Sequence, residues 1–279
     1  MKFFSFNNYH ISYSQQGTGP PLIMLHNGGN DHRIWDYQVH YLQNYFDIYT
    51  IDLLGYGQSD KPEIDYTLDL YTQLLDQFIQ SHEFEQVSLM GHCIGSAISL
   101  SYALQNPEMV NYLVLMNIAS IQTLSQGYLG KLYQLIVSSV PFRKSLIWLA
   151  PFIRLPRWAY RLSIADQYGL TNEKDNDFLD HLIKRYQHPR QLPVLLNLLL
   201  NFHSFDYLDK VEKPELFPQT LILWGEQNNI LPVSGGRKFA EKFKPDRFQT
   251  FPQGGHMIMR DSFQWVNQQL FDFFNCGEV

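Results

Sequence analysis

The stretch Gly91-His92-Cys93-Ile94-Gly95 constrains this chain most. An apolar run, Val87 to Met90, leads into it, and a run of small residues, Ser96-Ala97-Ile98-Ser99-Leu100-Ser101, leads out. That order reads as strand, sharp turn, helix. The two glycines allow strained turn geometry and a close approach of strand to helix. The central side chain is then lifted above the sheet at the helix N-terminus, where free N–H groups and the positive end of the dipole favour an anion. This is the setting of a nucleophile elbow, whose central residue is ordinarily serine. Here it is Cys93. Taken alone, the pentapeptide is equally an ordinary strand–helix turn around a buried thiol. The rest of the chain decides, by whether it supplies partners in the right order.

Phe3 to Phe6 and Tyr9 to Tyr13 alternate around Asn7-Asn8, a hairpin signal. Leu22-Ile23-Met24-Leu25 is a continuous apolar run, as expected of a strand covered on both faces, and it ends in His26-Asn27-Gly28-Gly29-Asn30-Asp31. A helix carrying Trp35, Val39 and Leu42 follows, then a buried strand from Phe46 to Ile51, closed by Asp52 through Gly55-Tyr56-Gly57-Gln58-Ser59-Asp60. Leu70, Leu74, Leu75 and Phe78 give helical spacing to 68–80. After the elbow and its helix, Asn106-Pro107 marks a stop, and Leu113 to Met116 is the next strand.

From about Ile118 to His203 the rhythm changes to helical patterns broken at Pro141, Pro151, Pro156 and Pro189. Alternation then resumes with a strand at Thr220 to Leu223, a helix over Val233 to Phe243, a strand near Phe248 to Phe251 and a last helix from Ser262 to Phe274. Such alternation predicts an α/β fold with a mostly parallel sheet covered by helices on both faces. Residues 1–117 and 206–279 form the expected core domain, and 118–205 an inserted all-helical lid over one sheet edge. The loops carrying Gly28, Cys93, Asn117, Asn228 and His256 all follow strands, so they should converge beyond the strands' carboxyl ends.

Composition narrows the function classes. At 45% hydrophobic and 17% charged residues, the 279-residue chain reads as globular. Its formal charge of −6 argues against nucleic acid or an anionic membrane surface as partner. Cys276 sits near the C-terminus, far in context from Cys93, so no structural disulfide is expected. No signal-type apolar region follows Met1, and the run Leu192 to Leu200 is too short to span a bilayer. A soluble, cytoplasmic protein is the expectation. No His/Cys/Asp cluster has ligand spacing, so neither metal nor cofactor is expected.

Five motifs in this order resemble the α/β-hydrolase superfamily, in its lidded branch of esterases, C–C hydrolases and related enzymes. They are His26-Asn27-Gly28-Gly29, Asp52 through Ser59, Gly91 through Gly95, Trp224-Gly225-Glu226-Gln227-Asn228 with Pro232, and Gly254-Gly255-His256. The resemblance implies Cys93 as nucleophile and His256 as general base. It implies an oxyanion hole from the backbone N–H groups of Gly28 and Ile94. The family's acid position falls on Asn228, so the third member departs from the pattern. Asn117, Glu226 and Asp206 are the alternatives. A thiol is more acidic than a hydroxyl, so Cys and His can share a proton with less help. An Asn oxygen can still hold the imidazole by accepting its other N–H, which makes a Cys-His-Asn set chemically coherent.

Asn27, His92, Asn117 and Trp148 are the expected substrate contacts, with Leu135, Phe152, Trp158 and Phe202 as further candidates for the lining. Arg143, Arg154, Arg157 and Arg161 form a basic cluster that reads either as a solvated face or as a contact for CoA, phosphopantetheine or a carboxylate. The expected reaction is acyl transfer through Cys93 from a small hydrophobic ester, thioester or lactone. It ends in hydrolysis or in transfer to an amine, alcohol or thiol. A CoA or carrier-protein thioester is a candidate partner. The reading from another class is a non-catalytic receptor or pseudoenzyme on the same fold.

Overall fold

A computed structural model describes residues 1–153, 155–170 and 175–275. The chain opens with a hairpin, β1 (Lys2–Phe6) and β2 (Tyr9–Gly17), whose turn residues Asn7 and Asn8 both adopt positive φ, at 48° and 67°. Asparagine tolerates that conformation, and it suits the twist of a two-residue hairpin. β3 (Pro21–Leu25), a 3-10 turn at His32–Trp35, α1 (Asp36–Leu42), β4 (Asp47–Ile51), α2 (Leu68–Ser81), β5 (Val87–His92), α3 (Ile94–Gln105) and β6 (Val110–Met116) follow.

Between β6 and the next strand the described residues hold only helices and turns. These are α4 (Ile121–Ser125), α5 (Tyr128–Ser138), α6 (Val140–Leu149), a 3-10 turn at Ala150–Phe152, α7 (Arg157–Ala165), α8 (Asn176–Tyr186), α9 (Gln191–Leu200) and a 3-10 stretch at Phe202–Lys210. Two of the prolines that break the sequence pattern mark α-helix starts. Pro141 lies in the first turn of α6 and Pro156 caps α7, where a missing N–H costs no intrahelical bond. The chain closes with β7 (Gln219–Gly225), α10 (Val233–Phe243), β8 (Arg247–Phe251), α11 (Ile258–Asp261) and α12 (Phe263–Phe274).

The sheet order is β1-β2-β4-β3-β5-β6-β7-β8. β1 and β2 pair antiparallel to their neighbours, and every pair from β4 to β8 is parallel. The side chains of β5 and β6 divide between two cores. Leu89, Leu113 and Leu115 pack with α2 and α3 on one face, while Met90, Val114 and Met116 pack with α1 and α12 on the other. Burial on both faces explains why these strands read as continuous apolar runs rather than alternating ones. β3, β5, β6, β7 and β8 point their carboxyl ends at one edge, so the loops that follow them meet there. No helix among the described residues is long and apolar enough to cross a membrane.

Candidate functional site

Cys93 links β5 to α3 with φ +54° and ψ −111°, a conformation a residue with a side chain rarely adopts. The surroundings over-determine it. Its N–H donates to Met116 O at 2.9 Å, and its carbonyl accepts from Ala97 and Ala119, each at 3.2 Å. The flanking glycines are needed for space. A Cβ on Gly91 would lie 2.3 Å from the backbone of Gly95, and one on Gly95 would lie 2.1 Å from Leu25 O. Ser96 completes the elbow by donating to Gly91 O and accepting from Met116 N–H.

Cys93, Ile94, Asn27, Gly28 and His256 line one cavity of about 270 Å³. Its remaining wall comes largely from α5, α9 and the 3-10 stretch after α9, through Leu129, Leu132, Leu192, Leu195, Leu199 and Phe202, with Gln167 and Tyr186 as polar contributors. The Gly28 loop is held from below by His26, whose Nε2 accepts the Leu53 N–H at 2.9 Å. Its Nδ1 then carries the proton and donates to Asn27 O at 2.7 Å.

Burial controls the electrostatics. It pushes the Cys93 thiol up to about 12, against the pull of the Ile94 N–H aimed at it. It also lowers His256 to about 3. The resting pair is therefore a neutral thiol and a neutral imidazole, not the shared-proton ion pair the sequence allowed. No hydrogen bond joins the two among the described residues. Two undirected polar atoms stand out. His256 Nδ1 and Asn228 Nδ2 are both buried without a partner.

Asn228 does not take the expected role. Its Oδ1 accepts from Ile230 N–H at 3.0 Å and Leu231 N–H at 2.9 Å, so the oxygen meant for His256 is spent on its own turn. What remains is Nδ2, a donor only. The alternatives lie elsewhere. Glu226 Oε1 accepts from Arg237 and Thr250, and Asp206 is exposed and paired with Lys210. Asn117 is a brace rather than a substrate contact. Its Nδ2 donates to His256 O at 2.9 Å and its Oδ1 accepts from Gly225 N–H at 3.1 Å, tying three strand ends together.

His92 is fully buried behind the site, its ring tilted against His256 at 4.6 Å between centroids, and it does not line the cavity. Trp148 is 70% exposed and faces a separate groove with Phe152 and Arg190. Leu135, Phe152 and Trp158 are likewise exposed, whereas Phe202 does line the cavity. Arg157 and Arg161 pair with Asp180 at half exposure. Arg154, the Arg143 side chain and Cys276 lie outside the described residues.

The sequence reading passed over two tyrosines. The hydroxyl of Tyr56 is buried, unpartnered and 3.5 Å from the Cβ that Gly28 lacks. Tyr186, on α8, lines the cavity beside Gly29. Tyr56 stands inside a motif already quoted, Gly55-Tyr56-Gly57. Nothing in the sequence around Tyr186 marks it. The cluster Asp31, His32 and Asp52 brings three potential metal ligands together, but their oxygens are already engaged by His181, Arg185, Gln58 and backbone groups. It is an ion network. Burial pushes the Asp31 carboxyl up, and His181, His32 and Arg185 outweigh that and hold it well below the usual carboxylate range.

The model of the alpha/beta hydrolase fold family matches residues 20–262. The chain is 26% identical to an epoxide hydrolase 3 of Mus musculus over 95% of its own length and 73% of the relative's. It is 24% identical to a 2-hydroxy-6-oxo-6-(2'-aminophenyl)hexa-2,4-dienoic acid hydrolase of Metapseudomonas resinovorans, over 92% and 85% of the two chains. A solved α/β-hydrolase fold protein from Burkholderia ambifaria superposes with a TM-score of 0.79 at 19% identity, covering 97% of each chain. With a matching model that spans all of the loops gathered at the sheet edge, the chain belongs to the α/β-hydrolase fold family.

Proposed function

We propose that this protein is a hydrolase whose Cys93 takes the acyl group of a small hydrophobic ester, thioester or lactone and passes it to water or to another acceptor. One observation carries the reading. A residue forced into a positive φ at a helix N-terminus shares a mostly apolar cavity with the only side-chain base that borders it, His256, among the described residues. The epoxide hydrolase and the dienoic acid hydrolase reported above are both named as hydrolases, which supports the coarser half of this reading.

In the proposed reaction Cys93 Sγ attacks the carbonyl carbon while its proton passes to His256, and the oxyanion sits against the N–H groups of Ile94 and Gly28. Expulsion of the leaving group takes the proton back. Water or another acceptor then releases the acyl group by the reverse route. A neutral thiol–imidazole pair fits this general-base course, because the proton moves only as the bond forms. The inserted helices act as the lid. A cavity of about 270 Å³ sits just below the usual range of small-molecule sites, so a short or single-ring acyl group is the best fit.

A second reading, ligand binding without turnover, rests on Asn228. An amide that offers His256 no acceptor leaves an imidazolium without support. Intact-mass measurement during turnover of p-nitrophenyl butyrate and of its thioester analogue separates the two. The enzyme reading expects an acyl adduct on Cys93, lost in Cys93→Ala and accumulating little in His256→Ala. Ligand binding that survives Cys93→Ala with no adduct in the parent protein would establish the second.

A further inference from the structure

Helix α9 stands between two spaces. Leu192, Leu195 and Leu199 line the Cys93 cavity, while Pro193, Asn197 and Leu200 line a groove of about 650 Å³. Among the described residues, only Leu196 lines both. That side chain is the shared wall. It belongs to neither of the two large cores. It packs in a third, detached cluster whose other fully buried members are Ile136 and Ala150. Three residues, one of them an alanine, hold little apolar area against opening, and such sparsely packed places are where a fold gives way first. A change of leucine rotamer there joins the two spaces.

The groove suits an uncharged, apolar occupant. Ile64, Tyr66, Trp148, Ala150, Phe152 and Val194 supply its apolar lining, and the rings of Trp148 and Phe152 lie 6.2 Å apart. Its ionic groups are already engaged. Arg190 pairs with Glu63, and Asp65 Oδ1 accepts from the amides of Asn197 at 3.4 Å and Asn201 at 3.3 Å. What is left to bind is chiefly apolar surface, which favours an alkyl chain.

The position of α9 says which part of a substrate that chain is. The leaving group must lie at His256, which returns the proton to it. The His256 turn is covered by a different segment, through Gln167 O and the Met257 N–H at 3.0 Å. Helix α9 covers the Gly28 loop instead, with Leu195 and Leu198 each 3.5 Å from the Cβ that Gly28 lacks. The wall that holds Leu196 is therefore on the acyl side.

We propose that Leu196 is the door between the cavity and the groove, and that the distal part of a medium- or long-chain acyl group passes it to lie along Trp148 and Phe152. This rests on the acyl reading of Cys93. With the door shut, the cavity suits a short acyl group. With it open, the groove takes the remainder of a longer one.

The test compares p-nitrophenyl butyrate with p-nitrophenyl decanoate on the full-length protein. At roughly twofold per methylene for a chain half shielded from water, the extra methylenes of decanoate are worth about 60-fold in kcat/KM. A ratio of at least about tenfold is expected, expressed in KM because the distal chain makes the same contacts before and during reaction. Leu196→Trp bars the door and should cut the decanoate-to-butyrate ratio at least about tenfold, while Leu196→Ala should raise it. Trp148→Ser with Phe152→Ser alters only exposed side chains, so the variant should melt like the parent, and it should lower the ratio about threefold or more. A parent that prefers butyrate overturns the proposal, as does a ratio that both Leu196 variants leave unmoved. So does a dimer in sedimentation that Trp148→Ser with Phe152→Ser dissociates, which would give the groove to a second copy. If no ester of either length is turned over, the acyl reading fails, and methyl nonyl ketone against methyl propyl ketone then judges the subsite by binding alone. Tighter binding of the longer ketone, with a change in tryptophan emission lost in Trp148→Phe, supports it, and equal affinities overturn it.

Discussion

Asn228→Asp is the substitution with the largest calculable effect. The side chain keeps its shape, and one oxygen can stay on the N–H groups of Ile230 and Leu231. The other atom changes from a donor to an acceptor. In the parent protein, burial holds His256 at about 3 with no charged neighbour to oppose it. A full return to its ordinary 6.5 would correspond to about 5 kcal/mol of imidazolium stabilisation, at about 1.4 kcal/mol per pH unit. An adjacent opposite charge restores roughly 1–3 of those units. With about half of that shift felt in the transition state, proton transfer from Cys93 would be roughly 3- to 30-fold faster. The range stays below the roughly 10⁴-fold effect of the same exchange in a serine triad, as suits a more acidic thiol.

The assay is the pre-steady-state burst from p-nitrophenyl butyrate, with the His256 ring followed by NMR titration. A burst at least about threefold faster, with the His256 pKa moved upward, is the expected result. A folded variant with an unchanged burst and an unmoved imidazole would refute the argument, by showing that the amide end of Asn228 does not govern His256.

Three further tests follow from the packing and the charges. With a thiol at about 12 and an imidazole at about 3, labelling of Cys93 by iodoacetamide in the ligand-free protein should climb steadily with pH above about 7. A plateau between about pH 4 and 8, read by peptide mass mapping, would instead reveal a resting ion pair. Asp31→Asn removes the carboxylate that takes His181 Nε2 at 2.6 Å and Arg185 Nε at 2.9 Å, and should lower stability by about 3 kcal/mol in urea unfolding at neutral pH. The Asp31 pKa is depressed in the folded state, so its contribution is full above the unfolded value near 4 and fades as pH falls. The gap between parent and variant should therefore narrow in acid, and a gap that widens there contradicts the assignment. Gly95→Ala drives a Cβ to 2.1 Å from Leu25 O and should cost about 3 kcal/mol or more, while Gly28→Ala meets only ordinary contacts at 3.5 Å and should cost under about 1 kcal/mol. Equal unfolding midpoints for the two would remove the steric account of the elbow.

The frame of this molecule was legible because its signals are local. Apolar runs covered on both faces, Asn-Asn at a hairpin and glycines around Cys93 each leave their mark within a few residues. Pro141 and Pro156 marked breaks in the helical pattern for the same reason, and α6 and α7 start there. What the sequence could not convey was direction. It placed Asn228 after β7 but could not tell which end of the carboxamide its own turn would claim. It named Asn117 and His92 from their positions at strand ends, yet both turn away from the cavity to serve backbone and ring packing. Trp148 was misplaced because an amphipathic stretch says that one face is apolar and not what that face meets. Tyr186 reaches the cavity from a helix whose placement depends on distant contacts, with Asp31 at one end and Arg260 at the other.

Asp261 has a wider consequence. One carboxylate oxygen takes the N–H of Gly169 at 2.8 Å and that of Gly255 at 2.9 Å, and Met257 N–H reaches across to Gln167 O at 3.0 Å. The turn that bears the imidazole is thereby stitched to the segment whose Ser163 and Gln167 line the cavity. Three hydrogen bonds therefore join that margin to the His256 turn. Lifting that margin would break the bonds that also seat the His256 turn, so any displacement there is felt at the imidazole as well.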